Sequence, residues 1–188
     1  MAPRILGISG SLRRGSHNTN LLRAAGDLLP PGVELEIFDG LRDLPPYDAD
    51  RDMKPVDPAV ARLRHAIASA DGVLIATPEY NGSIPGGLKN ALDWASRPFP
   101  DSVLRGKPVA VIGASSGLFG AVWAQAETRK VLGVIGADVV EHELPVGQAE
   151  AAFSEDGQLL EAEQRELLAE LVHVLADRAG AEQASMAA

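Results

Sequence analysis

The sequence predicts a single doubly wound α/β domain, a parallel sheet with helices on both faces. Two runs, Gly72 to Thr77 and Pro108 to Gly113, are almost continuously apolar, as strands buried on both faces are. Five strand-length segments alternate with five helical ones, and parallel strands joined by helical crossovers follow from that alternation. The junctions after the first, third and fourth strands are rich in Gly, Ser and Pro, which break regular structure there.

The first strand is the short apolar stretch Arg4 to Ser9. A Gly/Ser-rich turn leads from it into a helix over Asn18 to Leu29, where Leu21, Leu22, Ala25, Leu28 and Leu29 share one face. Pro30-Pro31-Gly32 ends that helix. Val33 to Phe38 alternates apolar and acidic residues, the period of a strand near a sheet edge. Asp39 to Asp57 has no period and reads as a long loop. Asp57-Pro58 then supplies an N-cap and a proline at the first helical position for a helix to about Ser69, burying Val60, Leu63 and Ile67. The third strand, Gly72 to Thr77, precedes a helix over Gly87 to Ser96. The fourth, Pro108 to Gly113, precedes one over Ala121 to Ile135. Ala137 to Glu143 is the fifth strand. The last helix, from about Gln158 to Arg178, is expected to pack Leu160, Leu167, Leu168, Leu171 and Leu175 inward. Residues 1–178 form the domain, and the small, polar stretch Ala179 to Ala188 is expected to fray.

A chain of 188 residues can bury a substantial core as one unit. With 17 basic and 26 acidic residues and a net charge of -9, it has no general attraction for nucleic acid or anionic lipid, so any phosphate is held locally. It shows neither a membrane-length apolar run nor the apolar core of a secretory signal, which makes the cytoplasm the expected location. Without cysteine there is no disulfide, thiolate or cysteine-held cluster, so redox chemistry requires a bound cofactor. His17, His65, His142 and His173 have no metal-ligand spacing, and no metal site is assigned.

Gly10-Ser11-Leu12-Arg13-Arg14-Gly15-Ser16-His17-Asn18-Thr19 lies between the first strand and its helix, where free N–H groups and the positive helix end converge. Ser11, Ser16, Asn18 and Thr19 add donors and Arg13 a charged fork, a set suited to phosphate. The competing reading is a helix capped by Ser16 or Asn18 beside two solvated arginines. The stretch lacks GxxxxGK[ST] and GxGxxG, which excludes a P-loop nucleotide site and a dinucleotide fingerprint and leaves a phosphomonoester such as FMN as the best candidate. After the third strand, Pro78-Glu79-Tyr80-Asn81 opens a Pro- and Gly-stiffened segment that can present backbone to a flat heterocycle, or serve as a stiff turn into a helix. Ser115, Ser116 and Gly117 follow the fourth strand in a small-residue loop that admits close approach of a ring. In pattern alone the strand order is open; 2-1-3-4-5 is the common five-stranded solution and lines these three loops along one crevice.

Gly10 to Asn18 is similar to a GSLR-x-GS-x-N phosphate loop, and Pro78 to Trp94 resembles a PEYN-x-S-x-PG-x-LKNA-x-DW signature. Together they resemble the NAD(P)H-dependent FMN reductases of flavodoxin-like fold, a family that includes bacterial quinone, azo-dye and chromate reductases. The resemblance implies strand order 2-1-3-4-5 and FMN as cofactor, with Ser11, Arg13, Ser16, His17, Asn18 and Thr19 around its phosphate. It also implies Pro78, Glu79, Tyr80 and Asn81 beside the isoalloxazine and Ser115, Ser116 and Gly117 at the other ring edge, with Glu79 facing structure as the alternative to facing substrate. Two departures stand out: Ala121 where relatives often have a second glycine, and His17 at a position frequently aromatic.

The implied activity is hydride transfer from NADH or NADPH to FMN, followed by ping-pong reduction of a quinone-like, azo, nitroaromatic or metal-oxyanion acceptor, with no side-chain acid or base assigned. An electron-carrier flavodoxin, or a reductase supplying reduced FMN to a monooxygenase, are the alternatives. The resemblance also implies a homodimer or homotetramer, with Trp94 and its helix near the contact or Trp94 in the core.

Overall fold

A computed structural model describes residues 3–53 and 55–186, with side chains to residue 181. Its strands are β1 (Arg4–Ser9), β2 (Glu34–Phe38), β3 (Gly72–Thr77), β4 (Pro108–Ala114), β5 (Asp138–Val139) and β6 (Pro145–Val146). Between and after them run α1 (His17–Asp27), α2 (Pro58–Ser69), α3 (Gly86–Ala95), α4 (Val122–Ile135) and α5 (Ala162–Met186). The sheet is parallel with order 2-1-3-4-5, the flavodoxin-like arrangement, and β6 also pairs with β4.

Strand alternation builds two cores. Leu6 and Ile8 of β1, Val73 and Ile75 of β3, and Val109 and Val111 of β4 face α2 and α3 together with Leu132 of α4. Their neighbours Ile5, Leu74, Ala76, Ala110 and Ile112 face α1 and α5. Both faces of β3 and β4 are therefore covered, which is why those two segments carry no polar alternation. Asp57 caps α2 by accepting from the Ala59 N–H at 2.9 Å, with Pro58 in the first turn.

Several elements differ from the sequence expectation. The fifth strand is split: β5 pairs with the start of β4 and β6 with its end. Between them Glu141, His142 and Glu143 are all exposed, and three successive polar residues cannot alternate into a covered sheet. The buried Gln125 repairs the gap, accepting from Leu144 N at 3.3 Å and donating to Gly120 O at 3.0 Å. The long loop holds two 3-10 turns, Leu41–Asp43 and Ala49–Arg51, and buries Leu41 and Leu44.

The last helix starts at Ala162, and its inward stripe is Leu168, Leu171, Val172, Leu175 and Ala179. Leu160 lies before the helix and is exposed, with Leu159 buried in its place; Leu167 sits off the stripe at 40% exposure. The helix also continues to Met186, past Arg178, and the buried Ala179 belongs to the core rather than to a frayed tail. Alanine is the strongest helix former, so its enrichment there extends the helix.

Candidate active site

The ends of β1, β3 and β4 open into a crevice of about 180 Å³, lined by the three loops that follow them. This is the switch point of the sheet, where β1 feeds one side of the fold and β3 the other. A larger cleft of about 460 Å³ runs along the β2 edge against α2, away from the strand ends, with Arg4 paired to Glu36 and Arg62 to Asp39 across it. Both of its arginines are thus paired and Glu34 adds a further carboxylate, so it suits an anion poorly, and the smaller crevice holds the distinctive chemistry.

The β1 loop supplies Ser11, Arg13, Ser16, His17 and Asn18 to the crevice. Ser16 caps α1: its hydroxyl oxygen accepts from Asn18 N at 3.2 Å and Thr19 N at 3.4 Å, which leaves its proton to donate outward. His17 heads the helix, where the first N–H groups have no intrahelical acceptor. The Arg13 guanidinium is exposed and donates to Gly15 O at 3.3 Å, and Gly15 turns the loop with φ +65°. The ring of His17 stacks on Phe153, with centroids 6.3 Å apart.

Two residues of this loop hold the loop itself. Asn18 is buried, donating from Nδ2 to Ala114 O at 2.8 Å and accepting at Oδ1 from Ala114 N at 3.0 Å. It thereby ties the head of α1 to the end of β4. Thr19 Oγ1 donates to Ser9 Oγ at 3.0 Å and does not line the crevice.

The β3 loop contributes Pro78, Glu79 and Tyr80. Tyr80 and Ser83 exchange two backbone hydrogen bonds, each 3.2 Å, around Asn81 (φ +55°) and Gly82 (φ +73°). This is a two-residue hairpin turn of the kind that an Asn-Gly pair favours. Asn81 is exposed at its tip and off the crevice lining, so its residue type serves the turn. Glu79 faces structure: Oε2 accepts from Trp123 N and Ala124 N, each at 3.1 Å. It caps α4, whose own N-cap residue, Ala121, has no capping side chain. In return Glu127 of α4 accepts at Oε2 from Ser83 Oγ at 2.6 Å and Ile84 N at 3.3 Å. Those two donors, the Ser83 hydroxyl first, hold the Glu127 carboxyl below its ordinary pKa, and Lys130 and Lys89 add to the effect.

Ser115 and Ser116 complete the lining from the β4 loop. Gly117 stands outside it, with its carbonyl accepting from Gln148 N at 2.9 Å. The approach is so close that a side-chain carbon at Gly120 would collide with the backbone of β6, and one at Gly147 with the backbone of Leu118. Ala121 takes φ +62° and ψ +30°, a left-handed conformation that favours glycine.

The α1 end of the crevice offers hydroxyls, a helix head and a guanidinium, a donor set that fits a phosphomonoester. The one carboxylate among the lining residues is tied to α4. Sequence reasoning missed Glu127 and Gln125, because Ser83 and Ile84 lie more than forty residues from the one and Leu144 lies 19 from the other. It also left Trp94 between interface and core: Trp94 is 1% exposed, and its indole N–H donates to Pro45 O at 2.8 Å, so it is core.

The chain is 43% identical to an NAD(P)H-dependent FMN reductase of Pseudomonas aeruginosa over 173 residues, covering 92% of each chain. It is 42% identical to a 2-hydroxy-1,4-benzoquinone reductase of a Burkholderia species, covering 89% of this chain and 91% of that one. Among solved structures, the flavoenzyme NAD(P)H:(acceptor) oxidoreductase of Paracoccus denitrificans matches with a TM-score of 0.83 at 34% identity, over 95% of this chain and 97% of that one. The model of the NADPH-dependent FMN reductases matches residues 3–151, and with most of the fold and the whole crevice inside that span, the chain belongs to that family.

Proposed function

We propose that the protein is an FMN-dependent oxidoreductase that takes hydride from NADH or NADPH and reduces a quinone-like acceptor in a ping-pong cycle. Azo compounds, nitroaromatics and metal oxyanions are further acceptor classes of the same reading. The observation that carries it is the convergence of the α1 head and two backbone-rich loops on one crevice, in a chain of this family. Bound FMN supplies the hydride-accepting centre. Ser11, Ser16, the Arg13 guanidinium and the N–H of His17 hold its phosphate, and Asn18 and Thr19 keep that loop in place. Pro78, Glu79 and Tyr80 border one edge of the ring through their backbone, with Asn81 shaping the turn. Ser115 and Ser116 border the other edge, and Gly117 fixes their loop.

Relatives acting on quinones support a planar acceptor, as does the exposed aromatic side chain of Tyr80 in the crevice lining, with the exposed Phe119 and Trp123 on the loop and helix that follow β4. Phe119 and Trp123 meet edge-on with centroids 5.1 Å apart. A homodimer or homotetramer belongs to the same proposal, because a cleft of about 380 Å³ between α3 and α4 exposes Phe99 and Val134 alongside Val131 and Ile135. A second copy of the chain would cover it. No helix among the described residues is long and apolar enough to cross a membrane, and the proposal places the protein in the cytoplasm with its nicotinamide donor.

The test is an absorption spectrum of the purified protein, then anaerobic titration with NADH and NADPH and reoxidation by benzoquinone. Bleaching by a nicotinamide and recovery with quinone are expected. Protein that takes up no FMN, or holds FMN that neither nicotinamide reduces, refutes the reading.

A further inference from the structure

Glu127 is an exposed residue on the second turn of α4, where a carboxylate ordinarily meets water. Instead its Oε2 accepts from a hydroxyl and an N–H on the hairpin after β3, at 2.6 and 3.3 Å. One turn earlier on the same helix, Glu79 from that hairpin caps Trp123 N and Ala124 N. The two carboxylates point opposite ways, one from loop to helix and one from helix to loop. Each loop–helix contact spans more than forty residues of sequence, so the clasp is tertiary.

We infer that Glu127 is a positioning residue for the flavin ring: by holding Ser83 and Ile84 it fixes the Tyr80–Ser83 hairpin to α4, and thereby the Pro78–Tyr80 backbone that borders the crevice. It acts through the turn and touches neither ring nor substrate. The inference rests on the reading that FMN occupies the crevice.

The turn needs such a hold. Tyr80, Asn81 and Gly82 are exposed, and the turn's own bonds are the two between Tyr80 and Ser83. Pro78 is buried before it and Ile84 and Pro85 after it, so the ends are anchored and the tip is not. Ionisation keeps Glu127 a pure acceptor for both donors, and Lys89 and Lys130 favour that charge. A two-point clasp makes hairpin and helix one body, which is what a backbone surface must be to hold a ring at a fixed distance.

The experiment compares FMN and riboflavin affinity, and amide exchange across residues 80–84, in the full-length protein, Glu127→Ala, Glu127→Gln and Ser83→Ala. Riboflavin has the ring without the phosphate. Glu127→Ala should weaken both flavins by the same factor, roughly three- to tenfold from the net worth of one or two hydrogen bonds, while amide exchange in the turn accelerates. Glu127→Gln, which keeps an oxygen acceptor, should recover most of the loss. Ser83→Ala removes one donor of the two and should give a smaller loss in the same ratio, so the question stays answerable if Glu127→Ala folds poorly. Faster exchange with unchanged flavin affinity would make the clasp purely structural and overturn the inference, as would a loss confined to FMN. Wild-type protein that binds neither flavin overturns the FMN reading itself, and the inference with it.

Discussion

Replacing Arg13 by Ala tests whether its guanidinium holds the FMN phosphate, as proposed. The side chain is exposed and its structural tie is a single 3.3 Å bond to Gly15 O, so its removal leaves the loop standing. Ser16 still caps α1 and Asn18 still bridges to Ala114. A charge-assisted contact with phosphate is worth about 1.5–3 kcal/mol when well made, and solvent around this guanidinium lowers that to about 1 kcal/mol. That corresponds to roughly a fivefold rise in the Kd for FMN. The assay is flavin fluorescence titration with FMN and riboflavin in parallel at low and high salt. Because riboflavin has no phosphate, its affinity should not move, and the FMN-to-riboflavin ratio should fall about fivefold. The difference should shrink in high salt, since an exposed charge is screened. Equal losses for both flavins would show that Arg13 acts on the fold or the ring, and the phosphate assignment for it would be wrong.

Asn18→Ala leaves the N–H and carbonyl of Ala114 without their buried partner and should cost roughly 2–4 kcal/mol, read as a fall of roughly 4–16 °C in the thermal midpoint; an unchanged midpoint means that the bridge is dispensable. Glu127 contributes through a lowered folded-state pKa, so its stabilisation is present above its unfolded pKa and disappears as pH falls through the folded value. The stability gap between wild type and Glu127→Gln should accordingly close as the pH falls below the ordinary value of 4.5, and a gap that widens on acidification contradicts the assigned direction. Ala121→Gly relieves a left-handed alanine while losing a buried methyl, and should be near neutral, whereas Ala124→Gly in α4 should cost about 1–2 kcal/mol; equal losses in chemical denaturation would refute strain at Ala121.

Wherever one local rule governed, the sequence was legible. The apolar runs of β3 and β4, the Asp57-Pro58 start of α2 and the turn at the head of α1 each follow from neighbouring residues, and the structure has all of them. Reading failed where distant partners decide. Nothing near Gln125 announces that it bridges Leu144 and Gly120, and nothing near Glu79 announces that it caps a helix starting at Val122. Glu141-His142-Glu143 did carry a usable signal, since three consecutive polar residues break the alternation of a covered strand. The alanines after Arg178 carried another, because helix propensity outweighs the small size that suggested a loose end.

The stretch from Pro78 to Trp94 shows what such a signature encodes. It reads as ring-binding residues, yet most of its polar side chains work on the fold. Asn90 accepts from Tyr47 N at 2.7 Å and donates to Pro45 O at 2.9 Å, and Trp94 donates to the same carbonyl. Lys89 pairs with Asp93 one turn on at 2.7 Å, and Glu79 is spent on α4. Only the first three residues, Pro78 to Tyr80, line the crevice. On the proposed reading the loop offers mainly backbone to a flat ring, and side chains bonded elsewhere fix that backbone. Hydrogen bonds followed outward from the loop lead to Ser83 and Glu127, which hold the turn that the proposal sets beside the ring.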